Sequence, residues 1–201
     1  MNKNKVELYP PEWAFQFHGH LCPFMPLGYR MGIIAIQHMG IEREKDHTLH
    51  VICELGEAHP QTCMMDGIQV ATGATYGKGL IEKTFYGKLA ATFWFPQKTP
   101  LRIALKASFL DQFGTQEFFA FRKKGIEPSQ IPEEITMRAI EWAYSLKKED
   151  IYEIKEAIDF VYFPKKGSFN KDKCSVCGEY VFERYLRTKD GKSVCIPCSK
   201  Y

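Results

Sequence analysis

The stretch Phe17-His18-Gly19-His20-Leu21-Cys22-Pro23 is the one around which the predicted fold of this 201-residue chain is organised. His18, His20 and Cys22 can all bind borderline metals such as zinc, and they lie two residues apart. An extended backbone points alternate side chains to one side, so this spacing predicts that the three side chains converge. Gly19 lets the backbone turn or approach closely at little steric cost. The stretch therefore predicts a group of metal ligands.

A helix is predicted directly after this stretch. Pro26 suits the first turn and Gly40 suits the C-terminal stop, which gives a helix of about 13 residues. The segment is apolar on most faces, so we expect it to be buried against a sheet. The positive end of this helix would point towards Cys22 and favour its thiolate form.

A second part of the same site is predicted further along the chain. Cys63 directly precedes another predicted helix, from Met64 to about residue 75, and is the natural distant partner of Cys22. His59 is a further candidate ligand. Asp66 and Lys78 are candidates for polar support or acid–base catalysis, with a solvated or helix-capping role as the alternative for both.

The remaining pattern predicts an α+β fold, because hairpins and crossovers are mixed along the chain. Apolar and β-branched runs predict strands at residues 48–55, 88–95 and 101–107. Helical spacing predicts helices at 115–124 and 132–147. Residues 151–163 fit either element, and a final strand is favoured.

Composition narrows the classes of function. The net charge of +3 is too small to indicate a nucleic-acid partner by itself. The sequence contains no run of about 18 apolar residues, so no membrane span is predicted. No apolar segment follows the basic N-terminal residues, so no secretory signal is predicted. A cytoplasmic location is therefore the expectation. All six histidines precede residue 60, and the seven cysteines form two separate groups, which metal binding explains better than a disulfide scaffold.

The C-terminal cysteines predict a zinc module. Cys174-Ser175-Val176-Cys177 and Cys195-Ile196-Pro197-Cys198 are separated by 17 residues, the spacing of a four-cysteine zinc site. The linker-like residues 164–171 predict a boundary between domains at 1–164 and 165–201. We expect a structural zinc without an open position. Protein contact or structural capping is favoured for this module over nucleic-acid binding, which is left open.

The N-terminal motifs resemble a known family. Phe17 to Pro23, followed by Leu27-Gly28-Tyr29-Arg30, resembles the opening signature of the E-subunit family of formylmethanofuran dehydrogenase. Cys63 to Gln69 and Thr72 to Gly79 resemble its second signature. The resemblance covers roughly residues 10–165, about one domain's length. Many members also end in a zinc finger.

Two positions depart from the family pattern. Position 67 is glycine where alanine is usual, and Ala74 stands where the family often has a cysteine. The ligand set that remains is His18, His20, Cys22 and Cys63. The resemblance implies a thioredoxin-like α+β core, a mixed sheet flanked by helices. It also implies association with molybdenum- or tungsten-dependent formylmethanofuran dehydrogenase systems.

Three hypotheses for the function follow. The first is a metal-dependent protein, an enzyme or an accessory component of an oxidoreductase, with zinc or another transition metal at the N-terminal site. The second is a thiol redox protein in which Cys22 and Cys63 form and break a disulfide. The third is a non-catalytic adaptor for metal or a partner. The apolar faces around residues 27–40 leave room for a homodimer.

Overall fold

The computed structural model describes residues 8–57, 60–165 and 167–200. His59, the further candidate ligand, lies outside these residues. The chain divides into two compact units between Tyr162 and Phe163. The predicted domain boundary between residues 164 and 165 stays a prediction. Within the described residues no helix is long and apolar enough to cross a membrane.

A five-stranded mixed sheet forms the centre of the first unit, with the strand order β2-β1-β3-β4-β5. Strands β1 and β2 pair in parallel, and all other neighbours pair antiparallel. Every residue of β1 is buried, as expected for a central strand covered on both faces. The strands are β1 His50–Cys53, β2 Ile81–Lys83, β3 Ala90–Trp94, β4 Leu101–Leu105 and β5 Tyr152–Glu156.

Helices flank this sheet, and the predicted α+β class, a mixed sheet flanked by helices, is confirmed. The helices are α1 Glu12–His18, α2 Phe24–Met39, α3 Met64–Thr72, α4 Ala107–Phe113, α5 Glu117–Lys123, α6 Glu133–Ser145 and α7 Lys148–Ile151. The predicted stop of α2 is confirmed, because Gly40 caps it with a φ of 62°. Neither β2 nor α4 was predicted. The strand β2 has only three residues, too few for a periodic pattern.

The prediction of an extended backbone through His18 is wrong. His18 is the last residue of α1, and the N–H of Gly19 continues the helical pattern by donating to the carbonyl of Phe15 at 2.8 Å. Gly19 then turns the chain with a φ of 91°, a conformation that a residue with a Cβ rarely adopts. A helix end followed by a tight turn, and not strand alternation, therefore brings His18 and His20 together.

The helices α2 and α3 cross at two glycines. A Cβ on Gly28 would overlap the carbonyl oxygen of Met64, and a Cβ on Gly67 would overlap that of Met25. The backbones therefore approach more closely than any side chain would allow. Since Met64 begins α3 and Met25 lies in the first turn of α2, the contact brings the N-terminal ends of both helices side by side.

Gly28→Ala is expected to destabilise the first unit by about 1–3 kcal/mol or more, because the added methyl meets backbone that cannot move alone. Urea unfolding followed by tryptophan fluorescence measures this change. Gly77→Ala is the matched control, since no atom lies within 4 Å of a Cβ built there. Equal stability of the two variants would contradict close packing at Gly28.

The second unit consists of two short hairpins and one turn of helix. The strands β6 Lys171–Lys173 and β7 Tyr180–Phe182 form one hairpin, and β8 Leu186–Lys189 and β9 Lys192–Cys195 form the other. The helix α8, Ile196–Ser199, follows β9 directly.

Candidate metal centre

Two thiols meet where α2 and α3 begin. Cys22 is buried, 3% exposed, and its Sγ accepts the N–H of Met25 at 3.4 Å. Cys63 is half-buried and immediately precedes α3. The neighbouring Cys63 thiol, followed by burial, raises the pKa of Cys22 well above its usual value. The neighbouring Cys22 thiol, reinforced by the nearby His18, lowers the pKa of Cys63 to about 4. The pair therefore favours a thiolate on Cys63.

His18 is held in place by Asp66. Its Nδ1 lies 2.7 Å from Asp66 Oδ2, and Gln69 Nε2 donates to the other carboxylate oxygen at 3.2 Å. Burial lowers the pKa of His18, but the hydrogen bond to Asp66 and the nearby Cys63 outweigh it and raise this pKa to about 9. A histidine whose one ring nitrogen bonds a carboxylate presents the other in a fixed direction, as metal-binding histidines do.

The Nε2 atoms of both histidines lack a hydrogen-bond partner among the described residues. His18 Nε2 and His20 Nε2 are each buried, and neither has a partner among the residues that the structure describes. The two imidazole rings lie 4.3 Å apart between centroids. A buried polar atom without a partner carries a free-energy cost that a ligand or metal can remove. Both nitrogens therefore have the environment of metal donors.

The four predicted ligands come together. One donor atom each from His18, His20, Cys22 and Cys63 lies within 4.8 Å of the other three. Zinc binds imidazole nitrogen at about 2.0–2.1 Å and thiolate sulfur at about 2.3 Å, so one ion can reach donors at this spacing. Two nitrogens and two sulfurs suit zinc or another borderline transition metal. The residues fit such an ion.

The structure does not bring Lys78 to this cluster. The Nζ atom of Lys78 lies 3.4 Å from the carbonyl oxygen of Lys45. Ala74, where the family often has a cysteine, is fully buried in the hydrophobic core. Cys53 is also fully buried, on β1, where burial raises its pKa to about 12. Cys53 therefore behaves as a small apolar residue.

Two cavities adjoin the cluster. One, of about 210 Å³, is lined by His20, Cys22 and Cys63 together with aromatic side chains and Arg122. The other, of about 340 Å³, is polar and adds Glu57 and Lys83 to His18, Cys63 and Asp66. The sequence did not single out Arg122, Glu57 or Lys83. Arg122 lies far from the ligand motifs in the chain, and Lys83 lies on the unpredicted strand β2.

The four C-terminal cysteines also come together, with their sulfurs within 4.8 Å of one another. Cys174 is buried and accepts the N–H of Cys195 at 3.3 Å, a bond that joins the two cysteine pairs. Gly178 makes the tight turn after the first pair with a φ of 77°, and its N–H donates to the carbonyl of Cys174 at 2.9 Å. The backbone of both pairs is thus set to direct four thiolates to one point.

An α+β unit with a two-histidine, two-cysteine donor group, joined to a four-cysteine module, defines a metal-binding protein. Residues 17–153 match the family model described as "FmdE, Molybdenum formylmethanofuran dehydrogenase operon". The chain belongs to the FmdE family. Residues 167–200 match the model of the prokaryotic dksA/traR C4-type zinc finger, so the second unit is a zinc finger.

Two individual relatives are similar to this chain. A protein of Archaeoglobus fulgidus named "Probable S-adenosyl-L-methionine-binding protein" is 29% identical over 197 aligned residues, covering 92% of this chain and 51% of its own length. The chain thus spans about half the length of that curated relative. A crystal structure of a tungsten formylmethanofuran dehydrogenase FmdE-like protein from Syntrophus aciditrophicus has a TM-score of 0.54. It is 19% identical and covers 94% of this chain and 89% of its own, so it supports the fold.

Proposed function

We propose that the first unit is a metal-dependent catalytic domain whose zinc or other transition-metal ion is bound by His18, His20, Cys22 and Cys63. The observation that carries this proposal is the convergence of the four donor atoms within 4.8 Å, with two of them buried imidazole nitrogens lacking another partner among the described residues. Three of these four residues also line the 210 Å³ cavity. A substrate in that cavity would lie against the ligands themselves.

Two of the four ligands would hold the ion rigidly, and the other two would leave it accessible from the cavity. Cys22 is buried at the start of α2, and Asp66 fixes the ring of His18, so these two ligands are rigid. Cys63 and His20 are only half-buried and face the cavity. A metal at this site would supply Lewis acidity towards a polar substrate group. Asp66 acts as a positioning residue, and Lys78 has no role in this proposal.

A partner in an oxidoreductase complex is part of the proposal. Its support is the matched family model, whose description names a molybdenum formylmethanofuran dehydrogenase operon. The second unit, with its four-cysteine zinc, would then act as a structural module. We propose the domain limits 1–164 and 165–201 on the basis of the linker composition and the separate matches to residues 17–153 and 167–200.

Asp66→Asn is expected to weaken metal binding at the N-terminal site by about 10–100-fold, because the carboxylate no longer fixes the ring of His18. Competition with a chromophoric chelator measures the zinc affinity of each site. Lys78→Met is the matched control. Within the described chain, the one hydrogen bond of Lys78 Nζ goes to the carbonyl of Lys45. Unchanged affinity in the Asp66 variant would refute the positioning role.

The proximity of the two thiols favours a second candidate function, thiol–disulfide exchange. The sulfurs of Cys22 and Cys63 lie within 4.8 Å of each other, and the low pKa of Cys63 would make it the nucleophile. Counting free thiols before and after oxidation of the metal-loaded chain separates the two functions. A bound metal protects both thiols, so their rapid oxidation under metal-replete conditions would favour the redox function.

A further inference from the structure

The 210 Å³ cavity beside the metal ligands has rigid aromatic walls. Phe118 is 4% exposed, and its ring packs edge-on against Phe119 with centroids 5.3 Å apart. Phe119 packs edge-on against Phe24 in turn, at 5.9 Å. Aromatic rings in such contacts are fixed in orientation and offer apolar surface to a ligand. The cavity therefore suits a small ligand with an apolar body.

One cationic side chain, Arg122, lines this cavity. Its Nη1 donates to the carbonyl of Ile126 at 2.6 Å and to Glu127 Oε2 at 3.2 Å, which holds the guanidinium in place. Across the described part of the chain, Nε and Nη2 of Arg122 make no hydrogen bond. These two atoms form one edge of the planar guanidinium, the edge that binds a carboxylate with two parallel hydrogen bonds.

Glu127 also lines this cavity, but it does not cancel the positive charge of Arg122. Its side chain is 67% exposed, whereas that of Arg122 is 24% exposed. Water and salt screen an exposed charge more strongly than a partly buried one. An anion in the cavity would therefore interact mainly with Arg122.

The volume limits the size of the ligand. At about 210 Å³ the cavity is smaller than the pockets of about 300–1,000 Å³ that bind drug-sized molecules. It corresponds to the liquid volume of about seven water molecules. A single aromatic ring or a short aliphatic chain with one carboxylate is of this size class.

We propose that the cavity binds a small monocarboxylate with an apolar body, its carboxylate on the free edge of Arg122 and its body against the wall formed by Phe118 and Phe119. This substrate class rests on the proposed function, because His20, Cys22 and Cys63 line the same cavity and would hold the metal next to the ligand. The polar cavity on the side of Asp66, which contains Lys83, would not take the apolar body.

Isothermal titration calorimetry of the zinc-loaded, 201-residue chain with benzoate tests this proposal. We expect one saturable site per chain, with benzamide, the neutral ligand of the same shape, binding at least about tenfold more weakly. Arg122→Gln should lower benzoate affinity by at least about tenfold. Lys83→Gln, which removes the same charge from the neighbouring cavity, should leave it unchanged.

Absence of benzoate binding, equal binding of benzoate and benzamide, or a loss of binding in Lys83→Gln would each overturn the proposal. The comparison of the two ligands uses only the wild-type chain, so the result does not depend on the folding of a variant. Zinc content measured on the same sample separates the two proposals. Zinc at the N-terminal site without benzoate binding refutes the substrate class alone, whereas absence of that zinc refutes the metal-dependent function.

Discussion

Cys22→Ser, purified anaerobically with excess zinc, is expected to contain about one zinc ion per chain where the wild type contains about two. Cys22 is 3% exposed and sits among the other donors, so its replacement leaves three of the four donors of this group. A serine hydroxyl is not deprotonated near neutral pH and is a poor zinc ligand. Elemental analysis against protein concentration from amino-acid analysis gives the ratio.

Cys53→Ala is the matched control for this loss. Cys53 is a buried thiol of the same unit, on strand β1, and it belongs to neither group of candidate ligands. Its replacement should leave about two zinc ions per chain, which shows that loss of a buried thiol alone does not release metal. A zinc content of about two in Cys22→Ser would contradict the N-terminal site.

Removal of zinc is expected to unfold the second unit while the first unit keeps its fold. Among the described residues, the second unit has a small apolar cluster of Cys174, Val194 and Cys195, with Val181 and Cys198 partly buried against them. So small a core cannot offset the entropy of folding, whereas zinc binding in small modules contributes about 10–16 kcal/mol. Amide NMR spectra before and after a strong chelator show which resonances lose dispersion.

Cys177→Ser should produce the same loss of dispersion without a chelator, because three thiolates leave the tetrahedral shell incomplete. Ser175 lies in the same knuckle and contributes no ligand. Ser175→Ala should therefore leave the spectrum of residues 167–200 unchanged. Dispersed resonances from this unit in the metal-free chain would show that its hairpins fold without zinc.

The spacing of ligand-type residues predicted much of the site. Cysteine pairs and a His-x-His-x-Cys pattern are local features, and so is the position of Cys63 directly before a helix. The α+β class followed from the order of the predicted strands and helices, in which hairpins and crossovers are mixed. Local features of this kind can be read from a single sequence because short-range geometry determines them.

Contacts between distant segments could not be predicted in the same way. Asp66 was a candidate, but its bond to His18 spans 48 positions and depends on how α1 lies against α3. The crossing of α2 and α3 at Gly28 and Gly67 depends on backbone contact, which leaves no periodic pattern. Arg122 reaches the cavity only because α5 packs beside the start of α2. Tertiary packing decides each of these.

Zinc K-edge X-ray absorption of the wild-type, zinc-replete chain tests the central claim most directly. The two ligand groups contain six cysteines and two histidines, so two bound zinc ions would show on average three sulfur and one nitrogen neighbour each. Sulfur should appear at about 2.3 Å and nitrogen at about 2.0–2.1 Å, with about two zinc ions per chain. A spectrum with four sulfur neighbours and no imidazole signal, at about one zinc per chain, would contradict the N-terminal metal site.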